Sequence, residues 1–458
     1  MSSEHFDLVI KNGLVVSEHG SKIQDIGISG SIIKQVGGSL TGEITIDAHG
    51  HYVLPGGIDA HVHLSAPSDP SLASASWSDD FYIGSLAAIA GGVTTFGNMT
   101  FPWAGQTLLE GIERDVQDAK KLAAIDYFIH PVLEDPSDEN IAAIAQLKEL
   151  GIASLKVFLV DEAFTEKEES YFKAFDKVRE TGVLLLLHCE DPELIGAAIA
   201  ELAQQDQLSL AHWSESRPIA AEVKSIEKAL EICRSTGVSI YIVHLSSELA
   251  LEATAKGKSE GLPVYVEVRP MYLHLTKEKL KLSDGAKYIG APPLRDVSDS
   301  QALWAGLSSG AIDLVASDHA PFTLEDKLDA TVDVRNARQG VSDLETSLPM
   351  LFSRGVVGGR ISLERFAEIT SSVPAKIFGI FDQKGSIEVG KDADIVIWDP
   401  LKKQQINAQQ MKSHAGYSVY EGTETTGAPI TTISRGEILM RDGALVAEPG
   451  RGRWVKAL

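Results

Sequence analysis

Leu54-Pro55-Gly56-Gly57-Ile58-Asp59-Ala60-His61-Val62-His63 is the stretch whose reading decides the fold. Gly56-Gly57 permits a sharp backbone turn, and Ile58 to Leu64 then alternates like a short strand. His61 and His63 stand two apart, so on a strand both imidazoles face the same side. Two neutral imidazoles converging on one point suit a divalent transition metal. A lone His-x-His is more often surface or packed histidine, so its meaning depends on partners elsewhere in the chain.

Downstream of that stretch, short apolar runs alternate with amphipathic segments. The runs are Ile58–His63, Val93–Met99, Tyr127–Val132, Ser154–Leu159, Val183–His188, Ser239–His244, Val264–Val268 and Ile312–Ser317. Ile141–Leu150, Tyr171–Glu180 and Glu222–Ser235 carry apolar residues at helical spacing. Eight strand–helix units in succession predict an α/β fold, a (β/α)8 TIM barrel. A doubly wound open sheet is disfavoured, because no glycine-rich phosphate turn follows the first strand.

The two chain ends have a different texture. Phe6–Lys11, Leu14–Val16, Ile26–Ile28, Ile32–Val36 and Glu43–Ile46 are short alternating runs separated by turn residues such as Lys11-Asn12-Gly13. They predict a small antiparallel sheet. Ala393–Trp398 and Ile430–Leu439 repeat the pattern. Neither end is large enough for a good core alone. Residues 1–55 and 385–458 are therefore expected to form one small β-sandwich, leaving 56–384 as the barrel.

The chain has 458 residues, 44% hydrophobic and 23% charged, which is a globular composition. A net charge of −23 argues against a nucleic-acid or anionic-membrane surface. Cys189 and Cys233 are too few for a disulfide framework. The start, Met1-Ser2-Ser3-Glu4-His5, lacks a signal-peptide pattern, and no apolar run reaches the ~20 residues of a membrane span. A cytoplasmic protein is expected.

In such a barrel the chemistry sits at the C-terminal strand ends. The first run offers His61 and His63. The fourth places Lys156 among apolar residues, the fifth ends in His188, the sixth in His244, and the eighth in Ser317-Asp318-His319. Each has an ordinary explanation: packed histidines, a helix N-cap for Asp318, an ammonium of Lys156 reaching out to water. Their joint occurrence at converging strand ends favours a shared site. A buried amine beside cations loses its proton, and the neutral form can add carbon dioxide to give a carbamate, an anionic two-oxygen ligand. The expected arrangement is two divalent metals, one on His61, His63 and Asp318 and one on His188 and His244, bridged by carbamylated Lys156. Zinc is favoured, with manganese, cobalt or nickel as alternatives.

Pro55–His63, Ser317-Asp318-His319-Ala320-Pro321-Phe322, Pro292-Pro293-Leu294-Arg295, Pro374–Gly379 and Gly390-Lys391-Asp392-Ala393-Asp394 together resemble the amidohydrolase superfamily, in its cyclic amidase branch. Ser216-Arg217-Pro218 and Leu344–Pro349 are most similar to hydantoinases and dihydropyrimidinases, with allantoinases the runner-up. The resemblance implies hydrolysis of a small cyclic amide or ureide. A hydroxide shared by the metals would attack the ring carbonyl while Asp318 moves the proton to the leaving nitrogen. It also implies a homo-oligomer, a tetramer in most relatives. The alternative is a non-catalytic assembly protein like the collapsin response mediators; those have lost metal ligands that this chain keeps. A mononuclear deaminase would have no use for Lys156.

Substrate contacts are less regular. The branch usually has a tyrosine five residues after the bridging lysine to help hold the oxyanion; here Asp161 stands there and the next tyrosine is Tyr171. Ala291 replaces a common serine and Gln339 stands near a common asparagine, at contacts the family makes largely through main-chain atoms. Leu64-Ser65-Ala66-Pro67 lacks the arginine that follows His-x-His in dihydroorotases. Arg269, in Glu267-Val268-Arg269-Pro270, is unusual and would serve either an anionic substituent or an ion pair. Trp77, Phe101, Pro102, Trp103 and Phe164 are loop residues that would line an apolar pocket or pack their loops. Cys189 reads as a small buried hydrophobe, and His130 and His319 as packing or supporting residues.

Overall fold

A computed structural model describes residues 5–64 and 76–457. Ser65-Ala66-Pro67 lies outside the described residues.

All eight apolar runs contain parallel strands: Gly57–Val62, Val93–Thr100, Asp126–Pro131, Ser154–Phe158, Leu184–His188, Ile240–Ile242, Val264–Val268 and Leu314–Val315. The first three form one sheet and the last five another. Single parallel bridges, Val132 to Lys156 and Val62 to His319, close them into a barrel. The sixth and eighth strands stop before the end of their apolar runs. His244 and Asp318 follow them in left-handed backbone, at φ 39° and 49°. Non-glycine residues hold that conformation only where their surroundings over-determine it.

Helices return each strand to the next. Glu168–Thr181 and Ile219–Thr236 are continuous, whereas the expected Ile141–Leu150 helix is broken into Asp138–Ala143, a tighter turn at Ile144–Gln146, and Leu147–Leu150. Among the described residues no helix is long and apolar enough to cross a membrane.

The chain ends share a nine-stranded sheet. Tyr52–Pro55 pairs antiparallel with the start of Ile395–Gln405, joining the N-terminal strands to Glu424–Ser434 and Glu437–Arg441. Leu8, Ile10, Ile26, Ile28, Val53, Ile395, Ile397 and Ile433 make the core of this β-sandwich. Two expectations need correction. The N-terminal sheet is mixed, because His5–Ser17 pairs parallel with both Thr41–Asp47 and Tyr52–Pro55. The hairpin strands in between supply the crossover length that parallel pairing requires. Lys11-Asn12-Gly13 is no turn either: the strand continues through an irregularity between Ile10 and Gly13, with Asn12 at φ 60°.

Gly56 also has another reason for being glycine than the one read from sequence. Neither Gly56 nor Gly57 takes a positive φ. A Cβ at Gly56 would lie 2.1 Å from Thr94 Oγ1, so the requirement is close approach of backbone to the second strand. The Gly56 amide donates to Asp394 O at 2.9 Å.

Candidate metal centre and active site

The first strand presents His61 and His63 to one carboxylate. Asp318 Oδ1 lies 3.1 Å from His61 Nε2 and 3.0 Å from His63 Nε2. Across the barrel mouth, His188 Nδ1 and His244 Nε2 are 3.0 Å apart. The two groups adjoin, with the His61 and His244 rings stacked at 5.6 Å. Lys156 is fully buried rather than reaching water, and among the described residues its Nζ has no hydrogen-bond partner. It lies 4.8 Å from the Phe158 ring centre. Asp318 is not a helix cap; its oxygens are turned to the histidines and to Arg269.

Supporting side chains set the ring orientations. Glu267 Oε1 lies 2.9 Å from His61 Nδ1 and accepts from the His244 amide at 2.9 Å, while its Oε2 accepts from Tyr241 Oη at 2.7 Å. Glu190 Oε2 lies 2.9 Å from His188 Nε2 and is gripped by the Arg217 guanidinium. Each carboxylate thus turns the opposite ring nitrogen toward the centre. His319 donates from Nε2 to Asp79 Oδ2 at 3.0 Å and accepts the Asp343 amide at Nδ1. His130 sits between Ser154 Oγ and Ala60 O, at 2.5 and 2.9 Å. Both are supporting residues. Cys189 and Cys233 are buried and unpaired.

The electrostatics suit cation binding. Burial, opposed by Asp318, takes His63 down to about 4, and burial lowers His188 and His244 as well, which favours the neutral imidazole that cation binding requires. Burial works to raise Asp318, but Arg269 and then the two histidines hold it well below the usual carboxylate range. Burial lowers Lys156 to about 8, with Glu267 and Asp318 opposing. Nε2 of His61 and of His63 crowd one oxygen of Asp318, and among the described residues the buried Lys156 Nζ has no hydrogen-bond partner. Neutral ring nitrogens and a carboxylate oxygen converging on one buried point are a donor set for a divalent cation, so these residues fit a metal centre. A second carboxylate group, Asp126, Asp392 and Asp394, brings its own cation: Lys384 Nζ reaches them at 2.6, 2.8 and 2.7 Å.

The substrate side differs more from expectation. Arg269 is fully buried, with Nη1 2.9 Å from Asp318 Oδ2, so it is an ion-pair residue and offers no exposed atom to an anionic substituent. Ala291 is buried and Gln339 is exposed. Tyr171 cannot take the oxyanion role, because its hydroxyl is spent on Glu134 O and Leu133 O at 3.0 and 3.3 Å. Asp161 remains exposed at the start of a short helix, its carboxyl pushed up to about 6 by partial enclosure, with Lys156 opposing. Trp77 and Phe101 do flank the site, with ring centres 4.8 and 5.8 Å from His63. Trp103 instead packs under Arg114, and Phe164 packs against Tyr171 and Phe175.

Sequence reasoning missed Glu267, Glu190 and Phe158. Phe158 completes an aromatic wall between Phe101 and His188, at 5.8 and 5.3 Å. Glu190 had a signal, since it follows His188-Cys189 and the quoted Ser216-Arg217-Pro218 supplies its partner.

Neutral imidazoles and a carboxylate aimed at one buried point in a barrel mouth have a chemical purpose around cations, which puts the protein in the class of metal-centred barrel enzymes. The profile of the amidohydrolase family matches residues 52–439. D-phenylhydantoinase of Escherichia coli O1:K1 / APEC is 36% identical over 455 residues, covering 98% of both chains. A solved D-hydantoinase structure superposes with TM-score 0.94 at 35% identity, covering 99% of each chain. Dihydropyrimidinase from Brevibacillus agri NCHU1002 gives 0.92 at 32% identity and 98% of each. The chain belongs to the amidohydrolase family.

Proposed function

We propose that this protein is a metal-dependent cyclic amidohydrolase that opens the amide bond of a hydantoin- or dihydropyrimidine-like ring. The observation that carries the reading is the single point shared by His61, His63 and Asp318, whose ligand atoms lie within 4.8 Å of one another beside the His188–His244 pair. Relatives named for hydantoin and dihydropyrimidine hydrolysis, matched over almost the whole chain, support the substrate class.

Two divalent cations, zinc first, would be held by His61, His63 and Asp318 and by His188 and His244, with Lys156 as its carbamate common to both. When bound, such cations polarise a ring carbonyl and lower the pKa of water. The protein's own part is positional and acid–base. Asp318 takes the proton of the attacking nucleophile on its carboxylate and returns it to the leaving ring nitrogen. Arg269 keeps that carboxylate ionised and oriented. Glu267 and Glu190 fix His61 and His188. Trp77, Phe101 and Phe158 exclude water and pack against an apolar ring substituent. Main-chain groups of Ala291 and Gln339 contact the ring. Residues 1–55 with 385–458 act as the sandwich unit and 56–384 as the barrel, in a cytoplasmic homotetramer.

The test is turnover of hydantoins, dihydrouracil and allantoin by protein of measured metal content. Ring opening of hydantoins or dihydrouracil with two metals per chain is expected. Preferential opening of allantoin would move the substrate to the ureide class, and no turnover by fully metallated protein would reject catalysis.

A further inference from the structure

One fully buried cation has no part in the site described so far. Lys327 is 2% exposed, and its Nζ donates to Ile289 O at 2.7 Å, Arg338 O at 2.6 Å and Gly340 O at 2.9 Å. Among the described residues no carboxylate pairs with it. An ammonium has three N–H donors and a neutral amine two, so three carbonyl acceptors match the charged form. Burial, with Arg269 adding to it, pulls the pKa well down. The carbonyls are therefore what makes a charge tolerable at this position.

Those carbonyls belong to two backbone segments far apart in sequence, which Lys327 ties together beside a single direct main-chain bond. Ile289 O also accepts the Gly340 amide at 3.1 Å. Gly290 O accepts from Trp213 Nε1 at 2.8 Å, and Pro292 O from Tyr272 Oη at 2.6 Å. The carbonyls on both sides of Ala291 are thus claimed, as are those on both sides of Gln339. Among the described residues, neither Ala291 nor Gln339 has a main-chain hydrogen bond. Both segments border the reacting end of the barrel. A Cβ at Gly290 would touch Arg269 Nη1 at 2.8 Å, and one at Gly340 would meet Ala320 O at 2.2 Å. Free peptide N–H and C=O groups on two fixed, adjacent strips complement a ring edge that itself carries one donor and one acceptor.

We propose that Lys327 is a positioning residue for ring recognition: by drawing the Ile289, Arg338 and Gly340 carbonyls onto one ammonium, it sets the spacing at which the Ala291 and Gln339 main chains read the N–H and C=O edge of a cyclic amide. This rests on the functional reading above. It adds a residue that touches neither metal nor ring yet determines ring affinity.

Lys327→Met keeps the length and removes every donor. In the metal-loaded enzyme it raises KM for dihydrouracil by about tenfold or more, with a smaller change in kcat and an unchanged metal count. The two ring N-methyl derivatives of dihydrouracil separate recognition from general damage. Methylation of the contacted nitrogen raises KM in the wild type and raises it less in Lys327→Met, because the contact it blocks is already weakened. If Lys327→Met does not fold, Lys327→Arg carries the test with the same expected rise, since a planar guanidinium cannot aim at the same three carbonyls. Unchanged KM in a folded variant, or methylation penalties equal in both proteins, overturns the proposal while ring opening by the wild type still stands. A metallated wild type that opens no ring overturns the functional reading and this inference with it.

Discussion

Arg269 Nη1 lies 2.9 Å from Asp318 Oδ2, while Oδ1 of the same carboxylate faces His61 and His63. One acidic group is thereby divided between a permanent guanidinium behind it and the metal centre in front. Arg269→Met leaves that buried carboxylate without its arginine. In metal-stripped protein the loss is about 3–5 kcal/mol, the usual result of removing one partner of a buried pair. Bound cations take over part of the neutralisation, so the metal-loaded variant loses less. Urea midpoints with and without metal measure both; identical losses would mean that Arg269 and the metals do not share Asp318.

Among the described residues the buried Lys156 Nζ has no hydrogen-bond partner. Lys156→Ala gives a folded protein with fewer metals per chain and an activity loss beyond the roughly 10–100-fold that supporting residues cost. Elemental analysis and turnover on the same sample decide it. Retention of both metals and full rate removes the bridging role.

Burial brings Lys156 to about 8, against the partial opposition of Glu267 and Asp318. A proton and carbon dioxide compete for one lone pair. One proton leaves the ammonium and a second leaves when the N–C bond forms, so at fixed dissolved carbon dioxide carbamate on the metal-free protein climbs steeply with pH up to about 8 and less steeply above it, whereas a solvent-exposed lysine keeps the steeper dependence to about 10. Carbon-13 NMR with labelled carbon dioxide follows it. A break in steepness near 10 would show an ordinary amine.

Glu190 Oε2 is shared between His188 Nε2 and the Arg217 fork. Glu190→Gln turns an ionic acceptor into an amide and frees His188 to rotate. Affinity for the metal on the His188–His244 side falls about 10–100-fold, while the His61–His63 side holds. Competition with a chelator separates the two steps, and equal weakening at both would contradict the assignment.

Asp161 occupies the position at which the cyclic amidases resembled here usually carry tyrosine. A carboxylate cannot donate to an oxyanion. Asp161→Tyr is expected to raise kcat on hydantoins several-fold, because a donor enters where none stands. A fall in kcat with KM preserved would mean that Asp161 itself serves the reaction.

The barrel was legible because strands buried on both faces leave uninterrupted apolar runs, such as Leu184–His188, and because a polar residue closing such a run is conspicuous. The gathering of His61, His63 and Asp318 beside His188 and His244 was legible for the same reason. Glu267 escaped notice because it sits inside a strand, flanked by Val266 and Val268, where only three dimensions reveal that it faces His61. Lys327 was hidden by its neighbours: Glu325-Asp326-Lys327 reads as a solvated helix face, yet the lysine points inward. The parallel pairing of His5–Ser17 with two later strands depends on contacts that no local pattern encodes.

Tyr52–Pro55, which leads into the strand bearing His61, is zipped to Ile395–Trp398, made later in synthesis than any of the candidate ligand residues. The strand that carries His61 and His63 therefore gains one of its anchors only after Asp318 has been made. A nascent chain stalled between Asp318 and Ile395 would hold every candidate ligand with that anchor still missing.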